Sequence, residues 1–341
     1  MNFFAGEKFR TISFVLFSLA GISCIAVIFA IGVYGFVKGP VPDNGEVSVV
    51  IPPESSFKTI SRILIENKII APDARFRMLA GLMGVTGKLR AGEYVFTSAV
   101  SPYQVLKNLA RGSMVQRAVT IPEGANLKQI AEIFAADGWI NQTSFLALCN
   151  DSEFIAGFGL NVHSLEGYLF PDTYFFNRGG ITAEKIISTM FQRMKEVLEE
   201  SFAITGKPPK LTVHELLTLA SIVEKETALA DERPLIARVF LNRLKKGMKL
   251  QTDPTVIYGL EDFDGNLTRA HLKTHTPYNT YMIRGLPPGP IGSPGRAAIE
   301  AVLFPAEGSY YYFVSKNDGS HYFSKTLAEH NRAVGRYQKR R

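Results

Sequence analysis

The sequence is poor in cysteine and in tryptophan. It has two cysteines and one tryptophan among 341 residues. Cys24 lies in an apolar N-terminal stretch and Cys149 lies far downstream, so we expect no disulfide between them. An isolated cysteine such as Cys149 is more often a small buried side chain than a nucleophile. These scarcities exclude a small disulfide-stapled scaffold, and they give no basis for thiol catalysis.

The sequence also lacks the charge pattern of a nucleic-acid-binding protein. Lys and Arg outnumber Asp and Glu by 38 to 31, for a net charge of +7. This excess is spread along the chain and is not interleaved with aromatic residues, which indicates attraction to anionic surfaces rather than base recognition. His271 and His275 have zinc-like spacing, but no Glu follows the first His and Pro277 lies two residues after the second. We therefore predict no metal, no cofactor and no nucleic-acid partner.

The N-terminal region predicts a membrane anchor. No charged residue occurs from Thr11 to Val37, and a helix of that length reaches about 40 Å. The stretch is too long for the apolar part of a cleaved signal peptide. Lys8 and Arg10 precede it, which favours a cytoplasmic N-terminus and an exported body. We predict a cytoplasmic segment at residues 1–10, a single-pass signal anchor at 11–37 and a linker at 38–45.

Residues 46–120 predict a small α+β module. Strand patterns occur at Glu46–Ile51 and Leu89–Phe96, with helical patterns between them. A faint internal repeat relates Ile51–Ile70 to Ile121–Ile140 at an offset of 70 residues, and each copy predicts a strand, a turn and a short amphipathic helix. Two copies do not make a solenoid. Such a module either grips an extended polymer or serves as a rigid spacer.

The strongest helical pattern, Leu211–Ala230, carries a carboxylate among small residues. Thr212 and Glu215 have capping-box spacing, and the interior contains neither Gly nor Pro. Glu224 shares a helix face with Leu, Ala, Ser and Thr side chains, so burial of this face would raise its pKa. A carboxylic acid that stays protonated near neutral pH suits general-acid catalysis.

A structural explanation of Glu224 stays open beside the catalytic one. Glutamates on helices commonly pair with a nearby arginine, and three arginines follow: Arg233, Arg238 and Arg243. Glu226 lies about 200° further round the helix, so we predict that it faces elsewhere, towards solvent. The aromatic stretch Leu165–Phe176 is typical either of sugar recognition or of a core strand, and its Glu166 is a further candidate carboxylate. Asp253-Pro254 predicts a turn.

Three further local patterns predict structure in this region. The pattern of Phe145–Phe158 predicts one helix. A helix predicted over Pro234–Lys246 should end at Gly247. Asn317-Asp318-Gly319, between Tyr310–Val314 and His321–Phe323, predicts a hairpin.

Several ordered strings together resemble one family. They are LEGYLFPDTYF at 165–175, ASIVEKET at 220–227, Asn242-Arg243, LQTDPTVIY at 250–258, YNTY at 278–281, GLPPG at 285–289 and Pro305-Ala306. The chain resembles the endolytic murein transglycosylases, the YceG-like proteins of bacterial cell-envelope growth. The resemblance implies an α+β fold, with an N-terminal transmembrane helix, a LysM-like module at 46–120 and a mixed α/β catalytic domain at 121–341. The family's catalytic glutamate, taken as the first Glu of the IVEKET string, falls on Glu224 of the central helix.

The resemblance also implies an activity. The protein would be a single-pass inner-membrane lyase with a periplasmic body, working beside cell-wall synthases as a terminase of glycan polymerisation. It would cut the β-1,4 bond between N-acetylmuramic acid and N-acetylglucosamine in nascent peptidoglycan and leave 1,6-anhydro ends. The attacking hydroxyl belongs to the substrate, so one carboxyl group suffices. The candidates for holding the sugar are Gln251, Asp253, Thr255, Tyr258, Asn279 and Tyr281.

Two other functions remain open on the sequence. A non-catalytic scaffold could bind peptidoglycan and recruit the synthesis machinery. A conventional muramidase would use water as the nucleophile and would need a second carboxylate, for which Asp253 is the candidate.

Overall fold

The computed structural model describes residues 21–25, 27–28, 30–39, 45–96, 100–205 and 211–338. These residues form two compact units. The first comprises the chain up to Arg117 together with Phe175–Ile181, and the second comprises Ala118–Tyr174 and the chain from Thr182 onwards. The sequence did not indicate that Phe175–Ile181 groups with the first unit.

Among the described residues, one helix is long and apolar enough to cross a membrane. This helix, α1 (Gly21–Lys38), qualifies by length and composition, and none of it is buried inside the protein. The remainder of the predicted anchor and the predicted cytoplasmic segment, residues 1–20, lie outside the described residues, as do residues 40–44 of the linker.

The first unit encloses its own apolar core. Its elements in chain order are β1 (Val47–Ile51), α2 (Phe57–Glu66), α3 (Ala74–Leu82), β2 (Gly92–Phe96) and α4 (Pro102–Arg111). β1 and β2 pair antiparallel, with Val47 opposite Phe96 and Ile51 opposite Gly92. Alternate residues of β1 and one stripe of α2 and α4 supply the core, as the periods of a strand and a helix require. The β1–α2–α3–β2 order agrees with the predicted small α+β module.

The predicted internal repeat is confirmed in the local structure. α2 and α5 (Leu127–Ala136) begin and end 70 residues apart. Each is preceded by a left-handed residue, Glu54 or Gly124, and each is capped by a side chain, from Ser56 or Asn126. After each helix the chain folds back through an equivalent backbone hydrogen bond. The Ile69 amide donates to the Leu64 carbonyl, and 70 residues later the Trp139 amide donates to the Phe134 carbonyl. The two units therefore contain the same strand–turn–helix motif.

The second unit is mainly helical. Its helices and hairpin strands are α5, α6 (Gln142–Cys149), α7 (Ser152–Ala156), α8 (Ala183–Thr205), α9 (Val213–Glu226), α10 (Arg233–Lys245), α11 (Asp253–Tyr258), α12 (Arg296–Leu303), β5 (Tyr312–Ser315), β6 (His321–Ser324) and α13 (Leu327–Tyr337). Two strands, β3 (Arg117–Thr120) and β4 (Thr173–Phe176), have residues in both units. β3 pairs with β4, and β5 pairs antiparallel with β6 as the predicted hairpin. The described chain therefore has a mixed α and β fold.

Helix α9 lies at the centre of the second unit. Every residue from Leu216 to Val223 is buried, and the helix packs against α10, α11 and α12. The predicted capping box is confirmed, because Thr212 and Glu215 exchange side-chain to backbone hydrogen bonds. The helix ends at Glu226, since Thr227 is extended, so it is shorter than the sequence pattern predicts. A helix buried on all sides has no single core-facing stripe for a wheel projection to find.

Two local predictions are wrong. Asp253-Pro254 does not form a turn but begins α11, because proline is well tolerated in the first turn of a helix. The helix predicted over Phe145–Phe158 is divided into α6 and α7. The division occurs because the Asp151 side chain caps a new helix by accepting a hydrogen bond from the Phe154 amide.

Candidate active site

The Pro/Gly-rich loop at 285–295 runs along one face of α9. Pro288 accepts a hydrogen bond from His214 at 2.7 Å, and the Ile291 amide donates to Ser221 Oγ at 3.0 Å. The Gly295 amide donates to Glu224 at 2.9 Å. His214 and Ser221 are seven residues apart and therefore share a face, with Glu224 three residues beyond Ser221. The loop is held in place by side chains of the central helix.

Glu224 is an ion-pair partner within this contact. Its carboxylate lies 2.7 Å from Arg233, which also approaches Glu123 at 3.5 Å, and its side chain is only 5% exposed. Burial raises the pKa of Glu224, although the hydrogen bond from Gly295 and the charge of Arg233 oppose the increase. The structural explanation offered by the sequence, a pairing with Arg233, is therefore present.

Glu226 lies in a cavity of about 430 Å³ in the second unit. The side chains that line it are Glu226, Arg243, Gln251, Asp253, Tyr281, Tyr312, Phe313, Val314, Ser315, His321, Leu327, His330, Val334 and Gln338. Glu224 is not one of them. The prediction that Glu226 faces solvent is wrong, because the segments that enclose it come from α10, α11 and the C-terminal elements, which no helix projection includes.

The environment of Glu226 favours its protonated form. Burial raises its pKa to about 7, and the nearby charge of Asp253 acts in the same direction. The Thr252 hydroxyl donates a hydrogen bond to Glu226 and opposes the increase, as do the charges of His321 and Arg243. Glu226 is also the last residue of α9, where the helix dipole disfavours a negative charge. A carboxyl with a pKa near 7 can both donate and accept a proton at neutral pH.

Three of the six predicted sugar-binding residues line the cavity with Glu226. They are Gln251, Asp253 and Tyr281. The Tyr281 hydroxyl donates to Asp253 at 2.7 Å, which fixes both side chains at the cavity wall. Gln251 has a left-handed backbone with φ of 50°, a conformation that disfavours most side chains. Backbone strain of this kind clusters at functional sites, which supports a role for the segment.

The other three predicted residues make contacts within the protein. Thr255 is fully buried and donates to the Thr252 carbonyl. Asn279 is fully buried; its amide donates to the Thr274 carbonyl at 2.6 Å, and its oxygen accepts from the Tyr281 amide at 2.9 Å. These contacts shape the segments that carry Asp253 and Tyr281. A direct contact with sugar stays a prediction for these residues.

Tyr258, the last of the six, anchors α11 to a second buried carboxyl. Its hydroxyl donates to Glu166 at 3.0 Å, and both Glu166 oxygens accept from the Leu127 amide at 3.2 Å. Burial raises the pKa of Glu166 to about 7. Glu166 does not line the cavity of Glu226, so its contacts are those of a residue that joins α5 to α11.

Sequence reasoning did not place Arg243 or the side chains of the C-terminal hairpin at this cavity. Arg243 is buried, donates to the carbonyls of Leu250 and Tyr311, and places its guanidinium 5.3 Å from the Tyr312 ring centre. His321 receives no mention in the motifs, yet it lines the cavity. The hairpin signal around residues 317–319 located these strands, but only the fold reveals which of their side chains meet Glu226.

The described residues hold no group of three or more His, Cys, Asp or Glu side chains that could bind a metal ion. The cavity is lined by acids, bases and aromatic rings. A raised carboxyl pKa, a second carboxylate and a wall of aromatic side chains suit acid–base reactions on a polyhydroxylated ligand.

Comparison with known proteins identifies the family of this chain. The profile of the YceG-like family matches residues 49–336, which span both units. The chain belongs to the YceG-like family. A solved YceG-like structure supports the fold: the crystal structure of a putative YceG-like protein from Listeria monocytogenes aligns at 37% identity with a TM-score of 0.59, covering 84% of this chain and 98% of that one.

Two relatives of the chain carry functional names. A protein of Bacillus subtilis (strain 168) is 36% identical over 85% of this chain and 84% of its own length, and it is named endolytic murein transglycosylase. A protein of Streptococcus pneumoniae serotype 2 (strain D39) with the same name is 32% identical over 97% of this chain. The alignment covers 65% of that relative's length.

Proposed function

We propose that this YceG-like chain is an endolytic lytic transglycosylase that acts on peptidoglycan. It cuts the β-1,4 bond between N-acetylmuramic acid and N-acetylglucosamine inside a glycan strand and leaves a 1,6-anhydro end. The names of two relatives, at 36% and 32% identity, support the reaction class. The observation that carries the proposal is a carboxyl group with a pKa of about 7 at the wall of a 430 Å³ cavity.

Glu226 is the general acid of this reaction. Burial raises its pKa to about 7, so the carboxyl can hold a proton near neutral pH and pass it to the glycosidic oxygen as the bond to C1 breaks. The geometry favours Glu226 over Glu224, because Glu224 is bonded to Arg233 and the Gly295 amide and does not line the cavity. Catalysis by Glu224 stays a prediction, and the experiment below distinguishes an acid role of Glu226 from an acid role of Glu224.

The nucleophile comes from the substrate. The C6 hydroxyl of the muramic ring attacks C1, so one C–O bond forms as the glycosidic bond breaks and no water is consumed. The proton of that hydroxyl must pass to a base at the cavity wall. Aromatic and apolar walls from Tyr312, Phe313 and Val314 favour this route by limiting the access of water to C1.

The polar lining provides contacts for the sugar. Gln251, Asp253 and Tyr281 offer an amide, a carboxylate and a hydroxyl at the same wall as Glu226. Acetamido and hydroxyl groups of amino sugars require such donors and acceptors, and pyranose faces pack on aromatic rings. Thr255, Tyr258 and Asn279 act behind this wall, by holding the segments that carry it.

A muramidase is the second candidate function, because a specific observation favours it. Asp253 lines the same cavity as Glu226, and its charge contributes to the raised pKa of Glu226. Glycoside hydrolases usually use two carboxyl groups with different roles. In that case water would attack C1 and the product would carry an ordinary reducing end.

The deciding experiment is mass spectrometry of glycan products. Full-length protein in detergent is incubated with uncrosslinked glycan strands, and the wild type is compared with Glu226→Gln, Glu224→Gln and Asp253→Asn. The proposal expects internal cuts with 1,6-anhydro ends from the wild type and a loss of at least about 100-fold for Glu226→Gln. Glu224→Gln should keep the products, because Glu224 does not line the cavity.

Each other outcome identifies a different function. Reducing ends from the wild type, lost in Asp253→Asn, would identify a muramidase. Loss in Glu224→Gln together with full activity in Glu226→Gln would return the acid role to Glu224. Glycan binding by folded wild-type protein without any cleavage would identify a scaffold, the non-catalytic function left open by the sequence.

The N-terminal half supports a membrane setting for the reaction. Helix α1 is consistent with a single-pass anchor, and the basic residues before it favour a cytoplasmic N-terminus with a periplasmic body. An anchored body would meet nascent strands beside the membrane-bound synthases that make them. The βααβ arrangement of the first unit fits the proposed LysM-like module.

A further inference from the structure

His321 is held by a carboxylate at the wall of the cavity. Its Nδ1 lies 2.6 Å from Glu232 Oε2, and its backbone amide donates to Glu232 Oε1 at 2.8 Å. Both side chains are 13% exposed. Glu232 follows α9 in a short 3-10 helix, and His321 begins β6, so the contact is made between segments 89 residues apart. Phe313 packs edge-on against the ring at 5.4 Å, which restricts its rotation.

These bonds determine which nitrogen of His321 can act as a base. An ionised carboxylate only accepts hydrogen bonds, so Nδ1 is the protonated nitrogen of the neutral ring. The other nitrogen, Nε2, then carries the free lone pair. Among the residues that the structure describes, none forms a hydrogen bond with Nε2. The carboxylate behind the ring orients it and stabilises the imidazolium that forms when Nε2 takes a proton, as in other acid–base triads.

We propose that His321, oriented by Glu232, is the base that removes the proton from the C6 hydroxyl of the muramic ring. This inference rests on the proposed function and assigns acid and base to separate side chains. It is carried by the shared cavity of His321 and Glu226, the Glu232–His321 hydrogen bonds and the unbonded Nε2.

The step balances without any co-reactant. The proton of Glu226 passes to the glycosidic oxygen, which leaves with the electron pair of its bond to C1. The C6 oxygen forms a new bond to C1, and its proton passes to Nε2 of His321. The cycle ends with a Glu226 carboxylate and a His321 imidazolium, and a proton returned from one to the other through solvent restores the starting state.

Other charged groups meet at the same cavity and set the pH range of the step. Glu226 comes from α9, Arg243 from α10, Asp253 from α11 and His330 from α13. Burial and the charge of Arg243 lower the pKa of His330, so this second imidazole is neutral at pH 7 and has no carboxylate partner among the described side chains.

The test is a pH–rate profile for full-length protein acting on uncrosslinked glycan strands. In the wild type, activity should fall at low pH, where His321 is protonated, and at high pH, where Glu226 has lost its proton. His321→Gln keeps a polar side chain that does not titrate. We expect its kcat to fall about 100-fold with KM changed less than about threefold, and the low-pH limb to disappear while the high-pH limb stays.

Glu232→Gln tests the same arrangement with the imidazole ring intact. The amide oxygen can still accept from Nδ1, but the negative charge that stabilises the imidazolium is gone. We expect kcat to fall about tenfold and the low-pH limb to move to lower pH. If His321→Gln does not fold, Glu232→Gln still tests the proposal. The matched control is His163→Gln, since His163 is exposed and lies outside the cavity.

The outcomes separate this inference from the proposed function. Inactivity of Glu226→Gln together with unchanged kcat and both pH limbs in His321→Gln would overturn the role of His321 alone. A Glu232→Gln profile that matches the wild type would also overturn it. Full activity of Glu226→Gln would overturn the proposed function itself. A purely structural role for His321 predicts lower stability without movement of the low-pH limb.

Discussion

Replacing Glu226 by glutamine should make the protein more stable, by an amount that depends on pH. Folding raises the pKa of Glu226 from 4.5 to about 7, so ionising this side chain opposes the folded state. The full stability is present below pH 4.5 and is lost as the pH rises towards 7. The loss amounts to about 3 kcal/mol above pH 7. The glutamine side chain cannot ionise and still accepts the hydrogen bond from Thr252, so this variant avoids the loss.

The assay is urea unfolding followed by fluorescence. The chain has a single tryptophan, Trp139, which is buried in the same unit as the cavity and therefore reports its unfolding. Wild type and Glu226→Gln are compared at pH values from 4.5 to 8.5. The difference in free energy of unfolding should be near zero at pH 4.5 and rise to about 3 kcal/mol in favour of glutamine above pH 7.

A control on the same helix should behave in the opposite way. Hydrogen bonds from Thr212 lower the pKa of Glu215 in the capping box. Glu215 therefore contributes stability above pH 4.5, which is lost as the pH falls, and Glu215→Gln should be destabilising at neutral pH. A stability difference for Glu226→Gln that does not change with pH would refute the reasoning, because the effect would then not come from ionisation.

Three further substitutions test other parts of the structure. Thr252→Val removes the hydrogen bond that lowers the pKa of Glu226, so the high-pH limb of the activity profile should move to higher pH. Thr212→Ala should cost about 1 kcal/mol in urea unfolding, through loss of the α9 cap. Arg117→Met removes the partner that lowers the pKa of the buried Glu93 to about 2. It should destabilise the first unit by about 2 kcal/mol at pH 7, read from hydrogen exchange in β2, and the loss should shrink as the pH falls from 4.5 towards 2.

The local elements could be predicted because their signals are short in range. The capping box of α9, the left-handed Gly247 after α10 and the β5–β6 hairpin each depend on residues within about five positions of one another. The repeat that relates α2 to α5 is also local, since each copy closes its own turn. No local sequence signal predicts that Phe175–Ile181 belongs to the first unit, because this grouping depends on contacts with residues far away in the sequence.

The choice between the two glutamates of the IVEKET string shows where sequence reasoning ends. A helical wheel distinguishes one face of α9 from another, but the residues from Leu216 to Val223 are buried on every side. Glu224 meets Arg233 and the loop that contains Gly295, whereas Glu226 meets α11 and the C-terminal hairpin. Their different surroundings are created by segments that follow α9 at widely different distances along the chain.

The sequence by itself determined the apolar N-terminal helix, the central helix with its cap, and the family to which the chain belongs. These depend on composition, on hydrogen bonds between near neighbours and on ordered strings. Only the tertiary structure decided that Glu226 shares a cavity with Asp253 and Tyr281, and that Glu232 holds His321 there. The physical reason is that a carboxyl pKa and a proton route depend on burial and on charges a few ångströms away, and these neighbours come from distant parts of the chain.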